Sequence, residues 1–212
     1  MGQANLVETG CNWAPDPDDT TDPDLQTTDW AGTQANSWVR ASQPISTPFF
    51  LRSQVENNGN KDLAAVAWTL YVNTTDDPTV GGGATQVTTA SSPIAIVDDG
   101  GSNDIADQAA TSVYRCASNA ATWSDGKYVD ASDSATALGL AISYYTEFQV
   151  SLQGASGAAG NTYYFYLYAN AVELDSYDAS NTATVVFSAG ALEVDVSDGV
   201  GVADASTVTL SQ

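Results

Sequence analysis

From residue 37 onward, apolar and polar positions alternate with a period of two. Phe49, Leu51, Ser53 and Val55 alternate with Phe50, Arg52, Gln54 and Glu56. Successive side chains of a strand point to opposite faces, so this spacing predicts a strand with one buried face. It ends at Asn57-Asn58-Gly59-Asn60, a strong turn signal. A second strand is predicted over 65–73, with Trp68, Leu70 and Val72 on one face and Thr69 and Tyr71 on the other. The turn residues Asp76-Asp77-Pro78 and Gly81-Gly82-Gly83 follow. Shorter strands are expected over 86–89 and 94–97, closed by Asp98-Asp99-Gly100-Gly101.

The later part of the chain carries the clearest pattern. Over 145–153, Tyr145, Glu147, Gln149 and Ser151 alternate with Thr146, Phe148, Val150 and Leu152. After a small-residue loop at 154–161, residues 162–170 place Tyr164, Tyr166 and Tyr168 on one face and Tyr163, Phe165 and Leu167 on the other. Aromatic residues on both faces predict a strand covered on both sides. The tyrosine face reads either as core or as a contact surface, since tyrosine buries area while keeping a wet hydroxyl. A last strand of the body falls at 183–188. The middle, 102–143, is less regular. Strands are expected at 112–116 and 137–142, a turn at 123–126 and one helical turn at 105–110. Many short strands joined by Gly, Asn and Asp turns predict an all-β chain. The expected fold is an antiparallel β-sandwich, Ig-like or jelly-roll-like.

Three segments follow from this pattern. Residues 36–189 form the sandwich. Residues 1–35 read as an irregular arm, because Asp16, Asp18, Asp19, Asp22 and Asp24 interleave with Pro15, Pro17 and Pro23. Proline lacks a backbone donor and neighbouring aspartates repel. Trp13, Leu25 and Trp30 are too large and apolar to leave in water, so the arm is expected to pack on its own domain or on a neighbouring subunit. Residues 190–212 form a β tail in which Leu192, Val194 and Val196, then Val208 and Leu210, alternate with polar residues. Two such short strands are not stable alone and need an existing sheet, their own or a neighbour's. These eight arm and tail residues are the candidate interface.

Charge narrows the range of partners. Five basic residues face 26 acidic ones, a formal net charge of −21. Nucleic acid and anionic membranes are disfavoured, since both attract clustered Lys and Arg. Such acidity keeps a protein dispersed, and halophilic adaptation is a second source of it. Residues 1–20 carry neither a basic start nor an apolar run, and no stretch approaches the ~20 apolar residues of a membrane span. Synthesis in the cytoplasm is expected if Met1 is the true start.

The chemistry available is limited. With no histidine, Ser-His-Asp and Cys-His nucleophile systems are excluded, as are Cys/His zinc sites. Gly81-Gly82-Gly83 lacks the Lys-Ser of a phosphate loop and reads as a turn. Paired carboxylates could serve sugar hydrolysis, but most acids lie in turn-like segments, and Glu147 is the one inside a strong strand. No catalytic residue and no cofactor are assigned. For metals, Asp16, Asp18, Asp19, Asp22 and Asp24 are calcium candidates, with Asp98, Asp99 and Asp104 a second cluster. Neither fits an EF-hand loop, and a solvated acidic loop is the plainer reading. Arg52, inside an apolar strand, is expected to pair with a carboxylate or with carbonyls. Asn73-Thr74-Thr75 matches a glycosylation sequon. Cys11 and Cys116 are read as two thiols, with a long-range disulfide as the alternative in an oxidising setting.

The strand at Phe50-Leu51-Arg52, with Val55, Asn57 and Gly59, resembles the "F-x-L-R-x-x-V-x-N-x-G" start of β-sandwich structural proteins of tailed bacteriophages. Thr146-Glu147-Phe148, then 163–167 and Leu174-Asp175-Ser176-Tyr177, resemble the later half of that family. Val194-Asp195-Val196-Ser197-Asp198-Gly199-Val200 is similar to its "V-x-V-S-D-x-V" segments. The resemblance spans about 48–210, and its motifs describe a scaffold rather than an activity. It implies a virion component, foremost a capsid decoration (cement) protein on the outer face of a phage head. Its implied partners are the major capsid protein and copies of itself, as a dimer or trimer. The alternatives are a tail-fibre or adhesin module binding host glycan through exposed aromatics such as Trp123 and Tyr128, and a self-assembling filament subunit. A polysaccharide-cleaving enzyme is disfavoured.

Overall fold

The computed structural model describes residues 3–15, 30, 35–98, 105–177 and 181–189. The protein is all-β, built from two mixed sheets, with no α-helix among the described residues. The strands are β1 (Leu6–Pro15), β2 (Val39–Gln43), β3 (Phe49–Asn57), β4 (Leu63–Asn73), β5 (Thr85–Gln86), β6 (Ile94–Ile96) and β7 (Ala110–Thr111). They continue with β8 (Thr122–Trp123), β9 (Gly126–Val129), β10 (Ala135–Leu140), β11 (Tyr144–Gly154), β12 (Thr162–Ala169), β13 (Val172–Glu173) and β14 (Ala183–Phe187).

The first sheet runs β1-β3-β11-β9-β7, with β6 and β8 also pairing β11. The second runs β10-β4-β12-β14-β2, with β5 on β4 and β13 on β12. The strands with the strongest alternation in sequence, β3, β4, β11 and β12, lie inside the sheets, where a fixed register buries one whole set of side chains. Most pairs are antiparallel as expected. Three are parallel, however: β11 with β8, β11 with β9, and β14 with β2. A purely antiparallel arrangement is therefore corrected to a mixed one. Periodicity records which face a residue occupies, not which strand lies beside it or which way that strand runs.

Both sheets contribute to one apolar core. Leu51, Val55, Phe148, Val150 and Leu152 from the first sheet meet Trp68, Leu70, Phe165, Leu167 and Val185 from the second. Aromatic contacts cross the gap. Trp13 meets Phe165 edge-on at 5.9 Å between ring centroids, and Trp68 lies 4.6 Å from Phe148.

The outer faces are covered too. On the first sheet, Ala14, Phe50 and Tyr128 form a second buried cluster with Trp30 and Ile105. On the second, the phenol of Tyr166 donates to Asp76 Oδ1 at 2.7 Å, and that of Tyr168 donates to the Pro78 carbonyl. Tyr71 stacks on Tyr168 with ring centroids 3.8 Å apart, and Tyr177 packs edge-on against Tyr166. Of the tyrosine face, Tyr166 and Tyr168 are thus buried, while Tyr164 is only half-buried.

The N-terminal segment differs most from its sequence reading. Residues 6–15 are not irregular. They form β1, antiparallel to β3, with a register shift between Glu8 and Gly10. The prolines and aspartates that argue against a strand begin only at its end. Trp13 is fully buried in the inter-sheet core and Trp30 is buried over the first sheet. Both are therefore removed from the candidate interface, because the chain's own body already covers them.

In the middle of the chain, residues 112–116 form no strand, and the strand β7 precedes them. The expected helical turn at 105–110 is instead a turn around Gln108, which has φ 69°. Of the expected turn at 123–126, Ser124 and Asp125 link β8 to β9.

Candidate functional site

Two strand segments that stand out in the sequence, around Arg52 and around Glu147, sit side by side. Arg52 lies on β3 and Glu147 on the adjacent β11, both fully buried on the outer face of the first sheet. Their side chains form an ion pair, Arg52 Nη1 to Glu147 Oε2, at 3.4 Å. The carboxylate has further donors. The backbone N–H groups of the consecutive residues Arg115 and Cys116 donate to its two oxygens at 2.7 and 3.0 Å, and Gln54 Nε2 donates to Oε1 at 3.1 Å. Arg52 Nη1 also donates to the Val113 carbonyl at 2.5 Å, and its guanidinium lies 5.4 Å from the centre of the Trp30 ring. The expected strand at 112–116 is absent, and the segment 113–117 instead wraps this pair with its backbone. Its apolar letters gave no sign that its amides are directed at a carboxylate one sheet layer below.

This arrangement is structural chemistry. A buried carboxylate is tolerable only when charge and hydrogen bonds compensate it. Glu147 has four donors, which is about what two carboxylate oxygens accept. Gly126 completes the seat. A Cβ there would lie 1.8 Å from the Glu147 carbonyl oxygen, so β9 approaches β11 this closely only as glycine.

Among the described residues, three surface features stand out. The first is an aromatic trio at one end of the first sheet. Trp123 and Tyr114 are half-buried, and Trp123 meets buried Tyr145 edge-on at 5.2 Å. Trp123 Nε1 donates to Asp125 Oδ1 at 3.1 Å, and Asn119 Nδ2 donates to Glu56 Oε2 at 2.8 Å beside it. Tyr128, expected as the partner of Trp123 in an exposed cluster, is fully buried against Phe50. Tyr114 and Tyr145 take its place. The second feature is a shallow groove lined by Leu6, Leu63, Val66 and Val172, with Val172 63% exposed. The third is the outer edge of β2, where Val39 is 56% exposed.

The remaining candidates resolve as follows. Leu25 and the calcium candidates Asp16, Asp18, Asp19, Asp22 and Asp24 lie outside the described residues, as do Leu192, Val194, Val196, Val208 and Leu210. Of the second acidic cluster Asp98 is described, and it is exposed, whereas Asp99 and Asp104 are outside. Among the described residues no three acidic or cysteine side chains gather to hold a metal ion. Cys11 and Cys116 are buried thiols, not a disulfide. Cys11 joins the inter-sheet core, while the backbone of Cys116 serves Glu147 on the outer side of the same sheet. Burial, reinforced by the Glu147 charge, pushes the Cys116 thiol well above its ordinary value. The sequon asparagine, Asn73, is buried and donates to the Asp77 and Gly82 carbonyls at 2.8 and 3.2 Å, a position closed to a glycan.

Comparison with protein-family models, with curated proteins and with solved structures finds no match for the chain.

Proposed function

We infer that the chain is a structural component of a tailed-phage virion, foremost a decoration protein that binds the outer face of the head and stabilises it. The observation that carries this reading is the Arg52–Glu147 pair. The segments by which the sequence resembles phage β-sandwich proteins meet in a buried, hydrogen-bonded hub. The segments that carry the resemblance are thus ones that hold strands together. The two sheets around one core are compatible with an Ig-like or jelly-roll-like sandwich, with mixed rather than purely antiparallel pairing.

In this role the acidic exterior keeps particles dispersed. Contacts to the major capsid protein and to neighbouring copies add buried area across joints of the shell, at about 25 cal/mol per Å² of apolar surface before ordering costs. The test is co-sedimentation and microscopy of the purified chain with expanded empty heads of the phage that encodes it. Saturable binding to heads and a raised temperature of head disruption are expected. No binding to heads would overturn the reading.

One observation favours a second reading. The half-buried Trp123 and Tyr114, flanked by Asp125, Glu56 and Asn119, offer ring faces and polar groups of the kind that hold sugars. Binding to host cells or purified surface glycan, lost in Trp123→Ala, would make the chain an adhesin module instead.

A further inference from the structure

The edges of the sheets are not alike. An open strand edge presents unpaired N–H and C=O groups and is a template for another strand. The edge at β10 is blunted. Its register shifts twice, the Leu138 and Leu140 carbonyls accept from Trp68 Nε1 and Asn57 Nδ2, and the Thr136 N–H donates to Gln108 Oε1. The edge at β1 is occupied by Ser176, which bonds both Leu6 and Glu8, and by Ser37, which donates to the Cys11 carbonyl. The edge at β2 has no such cover. The Trp38 and Gln43 carbonyls accept from Thr184 and Ser188 on the β14 side. Strand alternation turns the backbone groups of Val39 and Ala41 the other way, and no hydrogen bond reaches them from any described residue.

Two properties of this edge specify what fits it. Val39 and Ala41 share one face and are exposed, while Arg40 points to the other. Arg40 is half-buried over the Phe49 ring, bonded through Nε to Gln43 Oε1, and no carboxylate pairs with it among the described residues. A complementary strand therefore alternates apolar residues with acids. The tail does so: Leu192, Val194 and Val196 alternate with Glu193 and Asp195. Its apolar set lies beside Val39 and Ala41 when its acids lie on the Arg40 face.

The connection decides which chain supplies the strand. The tail leaves the body just after Ser188, whose N–H bonds Gln43 at the end of β2. There the Ser188 carbonyl accepts from the Gly160 N–H, and Ala189 lies near Gly160, on the β12 side of β14 and away from the open edge of β2. A tail from another copy need not double back past β14 and β2 to reach that edge.

We propose that the open edge of β2 accepts residues 192–196 of a second copy as an added strand, so that tails link copies of this chain. This deepens the assembly reading above and rests on it only for its setting on a particle. The experiment is sedimentation of the full chain, of Ala41→Pro and of Val194→Pro, each alone and then the two variants mixed. Proline at either position removes a ladder donor. The full chain is expected to self-associate, with each variant alone weakened at least about tenfold. The mixture is expected to recover a one-to-one complex, because one partner keeps an intact tail and the other an intact edge. If Ala41→Pro loses native β signal, the exposed Val39→Asp replaces it.

A monomeric full chain would overturn the proposal, as would undiminished association of either variant or a mixture that stays unpaired. A monomer whose Val39 and Ala41 amides resist hydrogen exchange would identify the tail of the same chain as the occupant. Loss of self-association with head binding retained would sink this inference alone. The reverse result would sink the decoration reading and leave this one standing.

Discussion

Arg52 and Glu147 meet at 3.4 Å on neighbouring strands, with neither side chain exposed to solvent. The pair joins β3 to β11 and, through the Arg115 and Cys116 amides, ties the segment 113–117 down onto the first sheet. Removing one member of such a buried pair leaves the other uncompensated, at a cost of about 3–5 kcal/mol. Glu147→Ala strands an arginine, two backbone amides and the Gln54 side chain together. The expected result is an unfolding free energy, measured by urea denaturation, lowered by that amount, or an unfolded chain. Glu147→Gln keeps an acceptor and the shape, so its loss is smaller. Equal midpoints for wild type and Glu147→Ala would show that the hub contributes nothing to stability.

Gly126 tests the same seat from the β9 side. Its added Cβ in Gly126→Ala would meet the Glu147 carbonyl oxygen at 1.8 Å and the Thr111 hydroxyl at 2.7 Å. The first is backbone and cannot swing away, so β9 must move off β11. A loss of more than about 2 kcal/mol is expected, the range of severe strain and broken networks. Gly81→Ala is the control, since nothing lies within 4 Å of a Cβ there. Similar melting temperatures for the two variants would contradict the close approach.

How much of this was legible in the sequence depends on the strand. Phe49 to Val55 and Tyr145 to Leu152 alternate cleanly because each has a core face and a second covered face, and their boundaries follow from the pattern. Arg52 was readable as a buried charge because an arginine within an apolar strand must find a partner. That the partner is Glu147 was not readable, since a strand pattern carries no information on pairing across 95 residues of separation. The strand β1 was hidden because its Gly10, Cys11 and Asn12 break the period where the register shifts, and because an acidic, proline-rich stretch follows it. Tyr128 was misplaced to the surface for a similar reason. The four residues of β9 are too few to reveal a face, and Tyr128 is buried by distant neighbours, Phe50, Trp30 and Ile105, once β9 pairs with β11.

The tyrosine layer predicts alkaline behaviour. Burial, helped by the charge of Glu173, pushes the Tyr168 phenol up to about 12, and burial with the Asp76 contact raises Tyr166 further. An unfolded tyrosine ionises near 10. The folded value is raised, so the stabilising contribution is fully present below about pH 10 and is lost as pH rises through 12. Absorbance at the phenolate band is therefore expected to rise in two stages, exposed tyrosines first and the buried set with loss of β signal. In Tyr168→Phe the second stage loses amplitude. A single titration near 10 for all tyrosines would refute the layer.

Asp107 predicts the acid limb. Partial burial by itself would raise its carboxyl, but hydrogen bonds from Ser132, Gln108 and the Asp130 and Ala131 amides outweigh it and hold the carboxyl below its ordinary value. The unfolded chain then binds the proton more readily than the folded one. The contribution is present above the unfolded value near 3.9 and is lost as pH falls through the lower folded value. Asp107 is only partly buried, so solvent screening keeps the effect small. What it fixes is position: the 105–110 turn is clamped to the loop after β9, and through Gln108 to Thr136 at the blunted β10 edge. Asp107→Asn is expected to lower stability at pH 7 while leaving it nearly unchanged at pH 2, so the two acid-unfolding curves converge as pH falls. A constant gap between wild type and variant from pH 7 to pH 2 would mean that the aspartate acts by shape alone and that its charge is not stabilised by the turn.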